Sequence, residues 1–261
     1  RWNFDSDSLT IIPKGKFGQD TIHFNETLKN QLLTNVGISK EDTIYIYNVY
    51  YDVVYKFDVE TTPTMATVNI YSQGDQLYSE YEYELGFNLE RKYTLEGDAF
   101  AYIGKSNPFE TGKLESIIWE GISTEEFPKK FNTDIILDSR RAWLDGFTAG
   151  QSFKSSVEGL DIYIQDLTKE DRDYNRFIVI LDSNTGDMVY EAFQISSEST
   201  YIVPINASNE ENMYGNQWIG KLFKNKPKVI FGFKSESFGC AGFEFIDNTE
   251  APIPFLCDNR H

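Results

Sequence analysis

The stretch Tyr45-Ile46-Tyr47-Asn48-Val49-Tyr50-Tyr51-Asp52-Val53-Val54-Tyr55-Lys56-Phe57-Asp58-Val59 decides the fold class. Its odd positions carry Tyr45, Tyr47, Val49, Tyr51, Val53, Tyr55, Phe57 and Val59. From Asn48 onward its even positions are mostly polar, with Asn48, Asp52, Lys56 and Asp58. Side chains alternate between the two faces of a strand, so this period of two marks an antiparallel strand with one face in a core. Strands usually run about 3–10 residues, so a stretch this long is expected to bend, to carry a bulge or to divide into two strands.

Upstream lies the one expected helix. Between Asn25 and Val36, the residues Leu28, Leu32, Leu33 and Val36 share a face at helical spacing, Asn25 is a good N-cap and Gly37 a good stop. Downstream, Thr67–Tyr71 and Leu77–Leu85 read as a hairpin closed by Ser72-Gln73-Gly74-Asp75, with Gly74 supplying a positive φ. In its second arm Tyr81, Tyr83 and Leu85 alternate with Glu80, Glu82 and Glu84, a ladder of carboxylates that is either a solvated face or a cation-facing one. Further on, short β-like runs appear at Leu160–Gln165, Phe177–Leu181, Met188–Ile195, Thr200–Ile205, Trp218–Phe223, Val229–Phe233 and Phe243–Ile246. Many short strands separated by frequent turns point to a sandwich or jelly roll. The expected fold is mostly β: antiparallel, sandwich- or jelly-roll-like, in two packed β domains over 1–125 and 126–261 with one short helix near 25–36. A single large sandwich is the alternative.

A chain of 261 residues buries enough surface to fold without staples. Its 20 Phe and 16 Tyr suit pleated, half-buried surfaces. The formal charge of −17 argues against nucleic acid, whose binding runs on Lys and Arg, and against an electrostatic hold on an anionic membrane. No apolar run reaches the roughly 18 residues of a membrane span. The first residue is Arg1 rather than Met, which reads as a processed product, and His261 is set aside from functional argument. Cys240 and Cys257 are spaced for one disulfide closing a short loop, worth about 3 kcal/mol on a chain-entropy estimate. That pairing, with the sequons at Asn25 and Asn206, leans toward a secreted or cell-surface glycoprotein.

Several stretches invite a chemical reading. Ala99–Ser106 approaches a phosphate loop, but its interior is apolar and Asn107-Pro108 stands where the required helix would begin, so it reads as a strand and a turn. Asp182, Asn184 and Asp187 space oxygen ligands as calcium prefers, yet the same residues, with Gly186, make a hairpin turn. Calcium is the one cofactor entertained. Triads would have to recruit His23, read as a structural histidine in the strand Thr21–Phe24, and no G-x-S-x-G elbow occurs. Trp119, Trp143 and Trp218, with Tyr214 beside the last, could form an aromatic ligand-binding surface, against the alternative that they fill the core. Trp218 is the best placed, following the turn-like Tyr214-Gly215-Asn216-Gln217. Lys221, Lys224, Lys226 and Lys228 read as a solvated edge that discourages aggregation.

These features favour a non-catalytic extracellular binding or adhesion protein whose partner is a glycan or another protein. A β-sandwich carbohydrate-active enzyme is one alternative; a self-associating coat or pore-forming component is another.

Overall fold

In the computed structural model the long alternating stretch is a hairpin. The described residues are 11–68, 82–89, 99–128, 146–169, 173–205, 216–236, 242–247 and 249–255. Contacts group the chain into one unit ending at Gly112 and another spanning Lys113–Asn259.

The first unit contains β1 (Thr21–His23), α1 (Glu26–Asn35), β2 (Thr43–Asn48), β3 (Val53–Asp58), β4 (Thr64–Val68), β5 (Tyr83–Phe87) and β6 (Ala99–Gly104). They form two antiparallel three-stranded sheets, β1-β4-β5 and β3-β2-β6. The helix starts where Asn25 Oδ1 accepts the Leu28 N–H at 3.0 Å, and stops before Gly37, whose φ is +69°. Its two core leucines serve different clusters. Leu32 packs with Ile22, Ala66 and Tyr83 of the first sheet, and Leu33 with Ile44 and Ile46 of the second. Lys29 is buried as well, because its ammonium donates to the carbonyls of Glu60 (2.6 Å) and Thr62 (2.7 Å).

The stretch breaks at Asp52, whose φ of +51° is left-handed, and Asn48 Oδ1 closes the turn by accepting the Tyr51 N–H at 2.9 Å. The turn also changes which positions face which way. Ile44 lies opposite Phe57 and Ile46 opposite Tyr55, so even positions of β2 share a face with odd positions of β3. The single odd-numbered apolar face expected from the sequence is therefore two faces. Tyr55 and Phe57 pack with the Leu33 cluster, and Tyr45 and Tyr47 are buried on the opposite side. Of the second expected hairpin, the described ends of its arms, Thr67–Val68 and Tyr83–Leu85, pair within β4 and β5, with Val68 opposite Tyr83; residues 69–81, including the turn, Ser72–Asp75, lie outside the described residues.

The second unit is a β-sandwich. Its strands are β7 (Leu114–Ser116), β8 (Glu120–Ile122), β9 (Thr148–Val157), β10 (Leu160–Lys169), β11 (Asp173–Asp182), β12 (Met188–Gln194), β13 (Thr200–Ile202), β14 (Trp218–Gly220), β15 (Val229–Phe231), β16 (Lys234–Glu236), β17 (Gly242–Phe245) and β18 (Ile253–Pro254). One sheet has the order β12-β11-β10-β9-β8, the other β18-β17-β15-β14-β7, and β13 pairs with β16 as a small ribbon. Between the two large sheets lie Ile162, Ile164, Ile178 and Ile180 from one and Ile219 and Ile230 from the other. β7 and β8 are neighbours in sequence yet belong to opposite sheets, so the chain crosses the sandwich at Ile117–Trp119 and leaves both of those side chains in the core. β11 reads Phe-Ile-Val-Ile-Leu because both its faces are covered: Ile178 and Ile180 point into the sandwich, while Phe177 and Val179 pack under Phe127 outside it. At the inner end of this row Arg176 is 1% exposed and forks onto Asp166, with Nε to Oδ1 at 2.7 Å and Nη2 to Oδ2 at 3.1 Å.

Among the described residues every strand pair is antiparallel, and no helix is long and apolar enough to cross a membrane.

Candidate functional site

The turn between β2 and β3 carries two adjacent aromatic residues outward. Tyr50 is 68% and Tyr51 46% exposed, and their rings meet edge to face at 4.9 Å between centroids. Exposed side by side, the two rings make a contiguous aromatic patch, which is more informative than single exposed apolar residues.

A rigid base carries them. Asp52 Oδ1 accepts the Tyr47 hydroxyl at 2.7 Å, and its other oxygen accepts the Gly112 N–H. Tyr47 is fully buried and stacks on Phe109 at 5.6 Å. Phe109 is fixed in turn by Asn107, which accepts its N–H at 2.9 Å and donates to its carbonyl at 3.2 Å. Gly112 reaches Asp52 with a φ of +70°, a conformation that suits glycine. Burial, then the hydrogen bond and charge of Asp52, push the Tyr47 hydroxyl well above the ordinary tyrosine range, so it stays a donor. A tyrosine pair on so braced a turn offers a large contact surface that loses little freedom when a ligand arrives. Its rings can stack on the apolar face of a sugar or on a partner's aromatic or proline side chain, and its hydroxyls can exchange hydrogen bonds.

The described residues singled out in the sequence lie on separate elements. Trp218 lies on β14, half-buried, with its ring nearly parallel to Phe231 at 6.4 Å. The aromatic row continues across that sheet from Phe231 to Phe243 (5.4 Å) and Phe255 (4.7 Å). Trp119 lies in the core at 2% exposure, its Nε1 donating to Gln217 at 3.1 Å and its ring edge to face with Phe233, so almost none of it reaches the surface. Trp143, Tyr214, Asn206, Cys240 and Cys257 lie outside the described residues, as does Glu80 of the carboxylate ladder.

Asp182, Asn184 and Asp187 form the turn between β11 and β12. Asp182 Oδ1 accepts the N–H groups of Asn184 (2.8 Å) and Thr185 (3.1 Å), which hold its carboxyl below the usual range. Gly186, with a φ of +76°, donates its N–H back to the Asp182 carbonyl at 2.8 Å. Among the described residues no three His, Cys, Asp or Glu side chains gather as metal ligands. Ala99–Gly104 is strand β6, without the helix a phosphate loop needs. His23 is exposed on β1. Of the basic run, Lys226 pairs with Glu250 (2.7 Å) and Lys228 with Glu158 (2.8 Å). Asn25 is exposed, and capping α1 engages its carbonyl oxygen rather than the nitrogen that a glycan would join.

Tyr50 and Tyr51 were hidden inside the alternation itself. A turn as aromatic as its flanking strands breaks no pattern, and Asp52 reads as one more polar even position. No known protein family model, no curated protein and no solved structure matches this chain.

Proposed function

We propose that this chain is a non-catalytic binding or adhesion protein of the secreted or cell-surface kind, which engages a glycan or a protein partner through the Tyr50–Tyr51 turn. The observation that supports this reading is the pairing of high exposure with rigid support: two tyrosines stand in solvent on a loop held by Asn48, Asp52 and Gly112. Exposed aromatics on a preorganised loop are a recurrent means of recognition in β-sandwich proteins.

The test is a broad glycan array, run with calcium and with chelator, on the wild type and on Tyr50→Ser/Tyr51→Ser. Selective binding that the double variant loses supports the reading. Loss with chelator would promote the Asp182–Asp187 turn of the second unit to a calcium site of its own. A ligand held equally by both proteins refutes the role given to the turn. The extracellular assignment is tested separately by the intact mass with and without reductant: a bridge between Cys240 and Cys257 supports it, and two free thiols undercut it.

A further inference from the structure

We infer that the second unit binds an extended, basic peptide segment of a partner protein as an added strand, at the corner where the chain crosses from one sheet to the other. This goes beyond the reading of the tyrosine turn and rests on none of its residues.

The corner follows from the crossing. The chain enters β8 only at Glu120, so β8 pairs with Ser152, Phe153 and Lys154 of β9 and with nothing beyond them. The last residues of β9, Ser155, Ser156 and Val157, pair with β10 on one side, and on the other side have no strand among the described residues. The space left there is a concavity of about 700 Å³ whose lining includes Glu115, Ile118, Glu120, Lys154, Ser155 and Val157.

Three features specify the occupant. An open strand edge presents backbone N–H and C=O groups in register for another strand, which is how extended peptides are gripped by sheets. Ile118 is 73% exposed within this concavity, so the added strand must bring an apolar residue to cover it. The carboxylates of Glu115 and Glu120 stand exposed beside it, while the one cation among the described lining residues, Lys154, is held by Asp161 at 3.3 Å and lies over the Tyr163 ring at 5.3 Å. Its described residues therefore carry net negative charge, and a strand alternating Lys or Arg with apolar residues complements them.

The experiment measures binding of a six-residue Lys/Val alternating peptide, capped at both ends, to the full chain by fluorescence anisotropy. Three comparisons accompany it: the Glu/Val counterpart, the Lys/Val peptide with alternate backbone nitrogens methylated, and the Ile118→Asp and Glu115→Lys/Glu120→Lys variants, whose changes fall on exposed side chains. Each comparison is expected to weaken binding at least about tenfold, a difference of about 1.4 kcal/mol. Amide exchange at 155–157 should slow when the peptide is bound. Equal binding of the methylated peptide would mean charge attraction without strand addition and would overturn the inference. So would failure of the wild type to bind, or a dimer of the free protein that Ile118→Asp dissolves, which would assign the edge to a second copy of the chain.

Discussion

Replacing Asp166 with Ala should cost the second unit more than any substitution on its surface. Arg176 is 1% exposed and the Asp166 side chain 17%. The guanidinium forks onto both carboxylate oxygens and donates through Nη1 to the Val203 carbonyl at 2.8 Å. Removing the carboxylate leaves a cation in the sandwich interior without its counter-charge, a change that costs about 3–5 kcal/mol in buried pairs. Partial exposure of Asp166 lets some water reach the gap, so the lower end, about 3 kcal/mol, is expected here. With a urea slope of about 2 kcal/mol per molar, that moves the unfolding midpoint down by about 1.5 M. Tryptophan fluorescence follows the right transition, because Trp119 shares the core of this unit. The double variant Asp166→Leu/Arg176→Met removes both charges, though it also takes the donor from the Val203 carbonyl, and should recover part of the loss. A midpoint for Asp166→Ala within about 0.3 M of the wild type, or a double variant as weak as the single one, would refute the account of Arg176 as a paired buried charge.

Other outcomes follow from the same kind of reading. Lys29→Met keeps the aliphatic stem but strips the donor from the Glu60 and Thr62 carbonyls, and should lower the stability of the first unit by about 2–4 kcal/mol in chemical denaturation followed by tyrosine fluorescence. A Cβ on Gly220 would stand 2.0 Å from the Lys113 carbonyl oxygen at a φ of +141°, so Gly220→Ala should part β7 from β14, seen as faster amide exchange at 114–116. The hydroxyls of Tyr47 and Tyr190 are both raised, by burial first and by Asp52 and Glu244 respectively. Their stabilising effect is thus complete below the ordinary tyrosine range and is lost only as pH rises through the higher folded values. Tyr47→Phe and Tyr190→Phe should leave the phenolate absorbance gained across the ordinary range unchanged; a drop in either variant counts against the buried hydrogen bonds. The Asp182 carboxyl is lowered by the Asn184 and Thr185 N–H groups, so its support of the turn is present above the unfolded carboxylate range and fades as pH falls through the folded value. A carboxyl NMR titration should find its midpoint below that of an unstructured peptide.

The mostly β architecture was legible because its signals are local. Alternation, the N-cap at Asn25 and the turn chemistry of Asp182–Asp187 each act within a few residues, and the helix and the β11–β12 hairpin stand where those signals put them. Strand β9 was not legible, since Thr148–Val157 shows no apolar period. Its two faces are covered by polar as well as apolar residues: Ser155 lies opposite Ile162 of the core, and Ser152, on the Phe177 side, is buried and accepts a hydrogen bond from Gln165 Nε2 at 3.0 Å, so the sheet satisfies a polar row that a sequence pattern reads as loop. The face swap between β2 and β3 was hidden for a related reason: one left-handed residue, Asp52, decides it, and nothing in the alternation marks that residue. The braced tyrosines depend on contacts between positions as distant as Asp52 and Gly112, which no local spacing records.

The double burial of β11 has a consequence before folding is complete. Phe177-Ile178-Val179-Ile180-Leu181 is an uncharged, β-favouring segment of the length that nucleates cross-β assembly. In the native sheet both its edges are occupied, by β10 and by β12, and each of these is its neighbour in sequence. Arg176 on one side and Asp182 on the other bracket it with charge, as gatekeepers do. The solubility of the nascent chain is thus set by the speed at which two local hairpins close over one strand, and a slow turn at 183–187 would expose it to aggregation however stable the finished sandwich is.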